Sequence, residues 1–139
     1  MSKQKIVMLA LRIVMGFIFL WAFLDKVFGL GFATPESKAW IHGGSPTYGF
    51  LSSAVKGPFV TFFHSLAGVS AVDWIFMAGL LFVGLTLIFN KFVKWGAVAG
   101  ALMLLSMYLA LLWPANNPII DEHIVYILVL TLIFLKSES

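Results

Sequence analysis

The chain of 139 residues contains no cysteine. Disulfides, thiol relays, Cys-ligated clusters and a cysteine nucleophile are therefore excluded within it. Charge is nearly as scarce, at 11% of residues against about 25% in soluble domains. What fills the space is apolar: hydrophobic residues make up 61% and the mean hydropathy is +1.01. One small domain cannot bury that much apolar surface in its own core, so the bilayer has to serve as solvent. The net charge of +3 comes from nine Lys and Arg scattered singly. Without a basic face they argue against a nucleic-acid ligand and read better as topology determinants.

Four apolar stretches are present, at about residues 6–28, 74–89, 95–113 and 119–135. At about 1.5 Å per residue they reach roughly 24–33 Å, enough to cross a hydrocarbon core with local tilt or thinning. The sequence thus predicts an all-α fold, a four-helix transmembrane bundle forming one domain over residues 1–139. The first run follows Lys3 and Lys5 as a signal peptide would, but it is too long for an h-region and no small-x-small cleavage site follows, so it reads as a retained span. Asp73 is expected to cap the second helix, with Trp74 as a headgroup anchor, and Pro114 to close the third.

Residues 29–73 form an excursion between the first two spans. The run from Trp40 to Phe50 mixes aromatics with turn formers, and Gly57–Pro58 opens a short apolar segment. There Phe59, Phe62, Phe63 and Leu66 share one helical face, and Thr61, His64, Ser65 and Gly68 another. Such a segment is too short to span and reads as an interfacial or re-entrant helix.

Lysine placement sets the orientation. With four spans, Lys3, Lys5, Lys91, Lys94 and Lys136 fall on one side, where the only acid is Glu138. Lys26, Lys38 and Lys56 share the other side with Asp25, Glu36, Asp73, Asp121 and Glu122. The positive-inside rule places both termini in the cytoplasm and the excursion outside.

Arg12 is the one basic residue well inside an apolar run, either functional or paired structurally. It shares a stripe with Gly16, Phe19, Phe23 and Lys26, which suggests that this stripe faces the bundle. Asp25 and Lys26 end the first span at the face where Asp121, Glu122 and His123 open the fourth. Successive helical residues diverge by about 100°, so at least one of the last three turns inward. Asp25, Lys26, Asp121 and His123 are thus candidates for a polar cluster, although capping explains Asp121 and Glu122 equally well. His42, His64 and His123 show no metal-ligand spacing. A histidine near the interface suits hydrogen bonding to a quinone head group or a small anion. Gly96-x-x-x-Gly100, Gly79 and Gly84 read as helix-packing positions.

Three stretches carry a resemblance: Arg12, Phe19-Leu20-Trp21 and Asp25-Lys26 in the first span; Trp40-Ile41-His42-Gly43-Gly44-Ser45-Pro46-Thr47-Tyr48-Gly49-Phe50; and Asn117-Pro118-Ile119-Ile120-Asp121-Glu122-His123. Together they resemble the DoxX/DoxD family of small prokaryotic membrane proteins. The resemblance implies a multi-pass protein of the plasma membrane, and the DoxD branch implies a thiosulfate:quinone oxidoreductase subunit working with a DoxA-like partner. On that reading His123, Asp121, Lys26 and His64 would be catalytic. Arg12, Asp25, Trp40, His42, Tyr48 and Asn117 would bind substrate or quinone. No metal and no covalently bound cofactor are expected, and quinone is the electron acceptor. The lipid bilayer, a partner subunit and a second copy of the chain are the expected partners, and nucleic acid is not. Rival readings are a non-catalytic anchor or assembly module, and a protein that handles lipids or small solutes.

Overall fold

The computed structural model describes residues 2–115 and 117–137; Glu138, counted above among the charges of the terminal side, lies outside them. Among the described residues the chain is all-helical. Four long helices, α1 (Lys3–Phe28), α3 (Ser70–Phe89), α4 (Val93–Ala110) and α5 (Glu122–Ser137), are joined by an excursion after α1, a short turn after α3 and a loop over residues 111–121 after α4. The excursion carries single helical turns at Glu36–Lys38, Trp40–His42 and Phe50–Ala54, and the short helix α2 (Val60–Ser65). The α1, α3 and α4 helices are each long and apolar enough to cross a membrane.

Local chemistry sets the ends. Ser2 accepts the Lys5 N–H and starts α1; Gly29, in left-handed backbone at φ 64°, stops it. A side chain at Gly29 would also meet the backbone of Glu36 at 2.6 Å, so the excursion folds directly over the end of α1. The turn between α3 and α4 places two non-glycine residues, Asn90 and Phe92, in left-handed backbone, at a cost of about 1 kcal/mol each. Three expected boundaries move. Val69, not Asp73, holds the position before α3, leaving Asp73 in the first turn with other partners. The α4 helix ends at Ala110, short of Trp113–Pro114: Leu111 caps it, its N–H shared between the Met107 and Tyr108 carbonyls, and the Ala110 carbonyl takes the Lys56 N–H of the excursion instead of continuing the helix. The α5 helix starts at Glu122 and not at Pro118–Ile119, since the Asn117 side chain takes the N–H groups of Ile119 (2.9 Å) and Ile120 (2.6 Å) into a turn.

The long helices pack α1 on α3, α3 on α4, α4 on α5, and α5 back on α1. A β-carbon on Gly100 would meet Leu130 at 3.0 Å, Val83 at 3.2 Å and Phe19 at 3.4 Å, so one layer joins all four. Glycines sit where backbones approach. A β-carbon on Gly84 would lie 2.9 Å from the Leu20 nitrogen, and one on Gly96 only 1.9 Å from Thr86 Oγ1.

Outside this core the helices are apolar as well. Val7, Val14 and Phe17 on α1, Ile75 and Leu85 on α3, Leu102 on α4 and Leu128 on α5 are all exposed. Less than two-fifths of each span-length window is buried, the largest share being 39% in α3. Lipid therefore has to cover the remainder, and the chain is a membrane protein. Exposed Trp95 lies near one end of the helices, and exposed Trp74 and Trp113 near the other, at the depth where indoles meet headgroups.

Candidate functional site

The polar side chains named from sequence divide between the two ends of the molecule. At the excursion end, Asp25 occupies the last turn of α1 and is 1% exposed. Its carbonyl accepts the Gly29 N–H at 2.8 Å. Its carboxylate, pointing the same way, accepts the N–H groups of Phe32 (3.2 Å), Ala33 (2.8 Å) and Thr34 (3.0 Å). Three successive amides on one carboxylate form a closed anion nest, so Asp25 clamps the returning chain onto its own helix.

Asp73 does the same from α3. It accepts the Ser45 hydroxyl (2.7 and 2.9 Å to its two oxygens), the Thr47 hydroxyl (2.6 Å) and the Thr47 N–H (3.3 Å). Ser45 Oγ in turn accepts the Tyr48 N–H at 3.1 Å. The Ser45-Pro46-Thr47 turn is thereby fixed to the first turn of α3. A third stitch runs from the Lys56 N–H to the Ala110 carbonyl (3.0 Å) at the end of α4. A fourth joins the Tyr108 hydroxyl to the Ile119 carbonyl.

Asp121 sits just before α5 and accepts the His123 N–H at 2.9 Å and, on its other oxygen, the His123 ring Nδ1–H at 3.0 Å. A carboxylate can only accept, so this contact holds the imidazole with its proton on Nδ1. His123 is buried. Among the described residues its Nε2 has no hydrogen-bond partner.

The expected four-residue cluster does not form. No hydrogen bond or ion pair among the described residues joins Asp25 or Lys26 to Asp121 or His123. Lys26 is half-buried beside Asp25, whose carboxylate accepts three backbone amides. Trp40 packs edge-on against Trp74 at 4.7 Å and lies against the core. His42 is exposed, its Nδ1 on the Glu36 carbonyl at 3.1 Å. His64 and Tyr48 are exposed, and Asn117 turns back on its own loop, donating to the Ile120 carbonyl at 2.5 Å. Among the described residues no three His, Cys, Asp or Glu side chains come together as a metal site.

Arg12 lies at the opposite end. Its Nη1 donates to the carbonyls of Leu87 and, at 3.4 Å, Ile88, two of the last carbonyls of α3. It therefore faces a neighbouring helix, where a cation complements the negative end of the α3 dipole. Two adjoining pockets of about 230 and 330 Å³ open at this end, and of the expected site residues only Arg12 lines either.

Sequence reasoning missed Ser45 and Thr47 as partners of Asp73, which lie 28 and 26 residues away. A buried-type helix start carrying an acid, together with a Ser-Pro-Thr turn in an otherwise apolar chain, was the available signal. Compared with known proteins, the chain matches no family model, no curated protein and no solved structure.

Proposed function

We propose that the chain is a non-catalytic membrane subunit whose excursion is a rigid docking platform for a partner enzyme. One observation carries this reading: both buried acids of the excursion end, Asp25 and Asp73, are filled by hydrogen bonds from the excursion itself. A general base needs a lone pair within reach of substrate, and these two carboxylates are buried and turned onto the excursion. What the clamped chain presents outward is apolar and aromatic, including Phe32, Ile41 and Tyr48.

In this proposal α5 completes a four-helix transmembrane bundle. Its 16 residues cover about 24 Å, and exposed Ile119 and Ile120 extend the apolar stretch ahead of it; local thinning of the bilayer accommodates the rest. Both termini face the cytoplasm of a prokaryotic cell, and the platform faces outward, where a DoxA-like subunit would dock. The test is photocrosslinking from Tyr48 in native membranes, followed by the same experiment in Asp73→Ala. A defined partner crosslinked one-to-one by the wild type and lost in the variant supports docking. Equal crosslinking in both, or none in the wild type, overturns it.

The Asp121–His123 pair favours a second reading, a quinone-linked sulfur oxidoreductase subunit of the DoxX/DoxD kind. A histidine oriented by a carboxylate with its second nitrogen open is suited to passing a proton to a quinone oxygen. The chain has no cysteine, so electrons would pass from thiosulfate to quinone directly or through the partner. Quinol formation by the purified protein with thiosulfate, with and without its partner, decides: none in either case, or none lost in His123→Asn, removes this reading.

A further inference from the structure

The end of the molecule away from the excursion holds a site that the docking reading does not use. Where α1, the α3–α4 turn and the end of α5 meet, a pocket of about 230 Å³ opens. Arg12 and Lys136 supply its cations, and Met8, Leu9, Val93 and Ile133 its apolar wall. Asn90, Val93 and Ser137 are shared with a second pocket of about 330 Å³ that adds Lys94 and Trp95. None of the described lining residues is acidic.

Arg12 is only partly used by its own fold. Both hydrogen bonds to the α3 carbonyls come from Nη1. A guanidinium has five N–H donors, so those on Nη2 and Nε remain, without a partner among the described residues. The apolar wall is made by helices whose outer faces already require lipid, so it runs continuously into the acyl region. Trp95, exposed beside the second pocket, marks headgroup depth. A ligand that fits is anionic at one end and hydrocarbon at the other, and delivers a phosphate oxygen to a planar cation at the membrane surface.

We infer that this pocket binds an anionic diacyl phospholipid, its phosphodiester on Arg12 and Lys136 and an acyl chain along Met8, Leu9 and Ile133. Basic pockets between helices near a membrane surface are suited to such headgroups, and each cation there contributes about fivefold in affinity.

The experiment uses the full-length protein in a mild detergent, titrated with phosphatidylglycerol, with zwitterionic phosphatidylethanolamine of the same chains, or with inorganic phosphate, and read by native mass spectrometry and by melting temperature. Phosphatidylglycerol is expected to remain bound and raise the melting temperature, and phosphatidylethanolamine to bind several-fold more weakly. Lys136→Gln leaves the Arg12 hydrogen bonds in place and is expected to weaken phosphatidylglycerol binding about fivefold, with its melting temperature without lipid measured alongside. Arg12→Lys is expected to weaken it further, and Lys38→Gln, on the excursion, to leave it unchanged. Equal binding of the two lipids, no change in Lys136→Gln, or inorganic phosphate stabilising the protein as well as phosphatidylglycerol would each overturn the assignment.

Discussion

The two ends of the helices are built on opposite chemistry. At the excursion end two acids are buried and hydrogen-bonded, Asp25 to three amides and Asp73 to Ser45 and Thr47. At the other end, cations gather around open pockets and the connection is a tight turn, Asn90 to Phe92, held in left-handed backbone. The first arrangement closes a surface, and the second leaves one open. In a chain with so few charges, the useful question about each is whether its hydrogen-bonding capacity is already used. By that measure Asp25 and Asp73, at the end where catalysis looks most natural from sequence, serve to hold the excursion in place. At the plainer end Arg12 retains donors.

Removing the clamp should have the largest effect. Asp25→Ala leaves three amides without their charged acceptor, and we expect a loss of about 3–5 kcal/mol, measured by thermal or denaturant unfolding in detergent. Proteolysis within residues 30–48 should accelerate in parallel; an unchanged cleavage rate would show that the clamp does not organise the excursion. Next comes helix packing toward the open end. In Gly96→Ala the new methyl would lie 1.9 Å from Thr86 Oγ1, a collision expected to cost about 1–3 kcal/mol. In a Thr86→Ala background the cost should fall, and a double-mutant cycle with no coupling would contradict this contact.

A smaller change should be stabilising. Phe92→Gly removes left-handed strain from an exposed side chain, and a gain of up to about 1 kcal/mol is expected. A lower melting temperature would mean that the Phe92 ring contributes more in the interface than its backbone costs. Lys91→Gln, an exposed charge in the same turn, should shift stability by less than about 0.5 kcal/mol. If Lys91→Gln rivals Asp25→Ala, the contrast between the ends is wrong.

Much of the helical framework was legible because apolar runs and breakers are local signals. The spans anticipated at 6–28 and 74–89 differ from α1 and α3 by a few residues at their starts. The end of α4 lies before Pro114, the local breaker, because the Ala110 carbonyl is taken by Lys56, more than fifty residues away. The side-chain networks were legible only as ingredients. Asp25 reads as a helix-end acid, and nothing in its neighbours states that Phe32, Ala33 and Thr34 will turn their amides on it. Asp73 needs partners more than twenty-five residues away. The pocket is assembled from Arg12, Asn90 and Lys136, three distant points of the chain that periodicity cannot relate. The expected outer cluster failed for the complementary reason: Asp25 and Asp121 share an end of the bundle, but each finds local donors first.

The stitching of the excursion also has a mechanical consequence. The α1 helix starts, and α5 ends, at the open end of the molecule. A pull applied to both chain ends therefore loads the helices in an unzipping geometry, turn by turn, beginning at the pocket. The bonds from Asp25, Asp73 and Lys56 lie at the far end of that zipper and resist last. A force–extension trace should show gradual yielding at low load followed by one abrupt final step, and that step should weaken in Asp73→Ala.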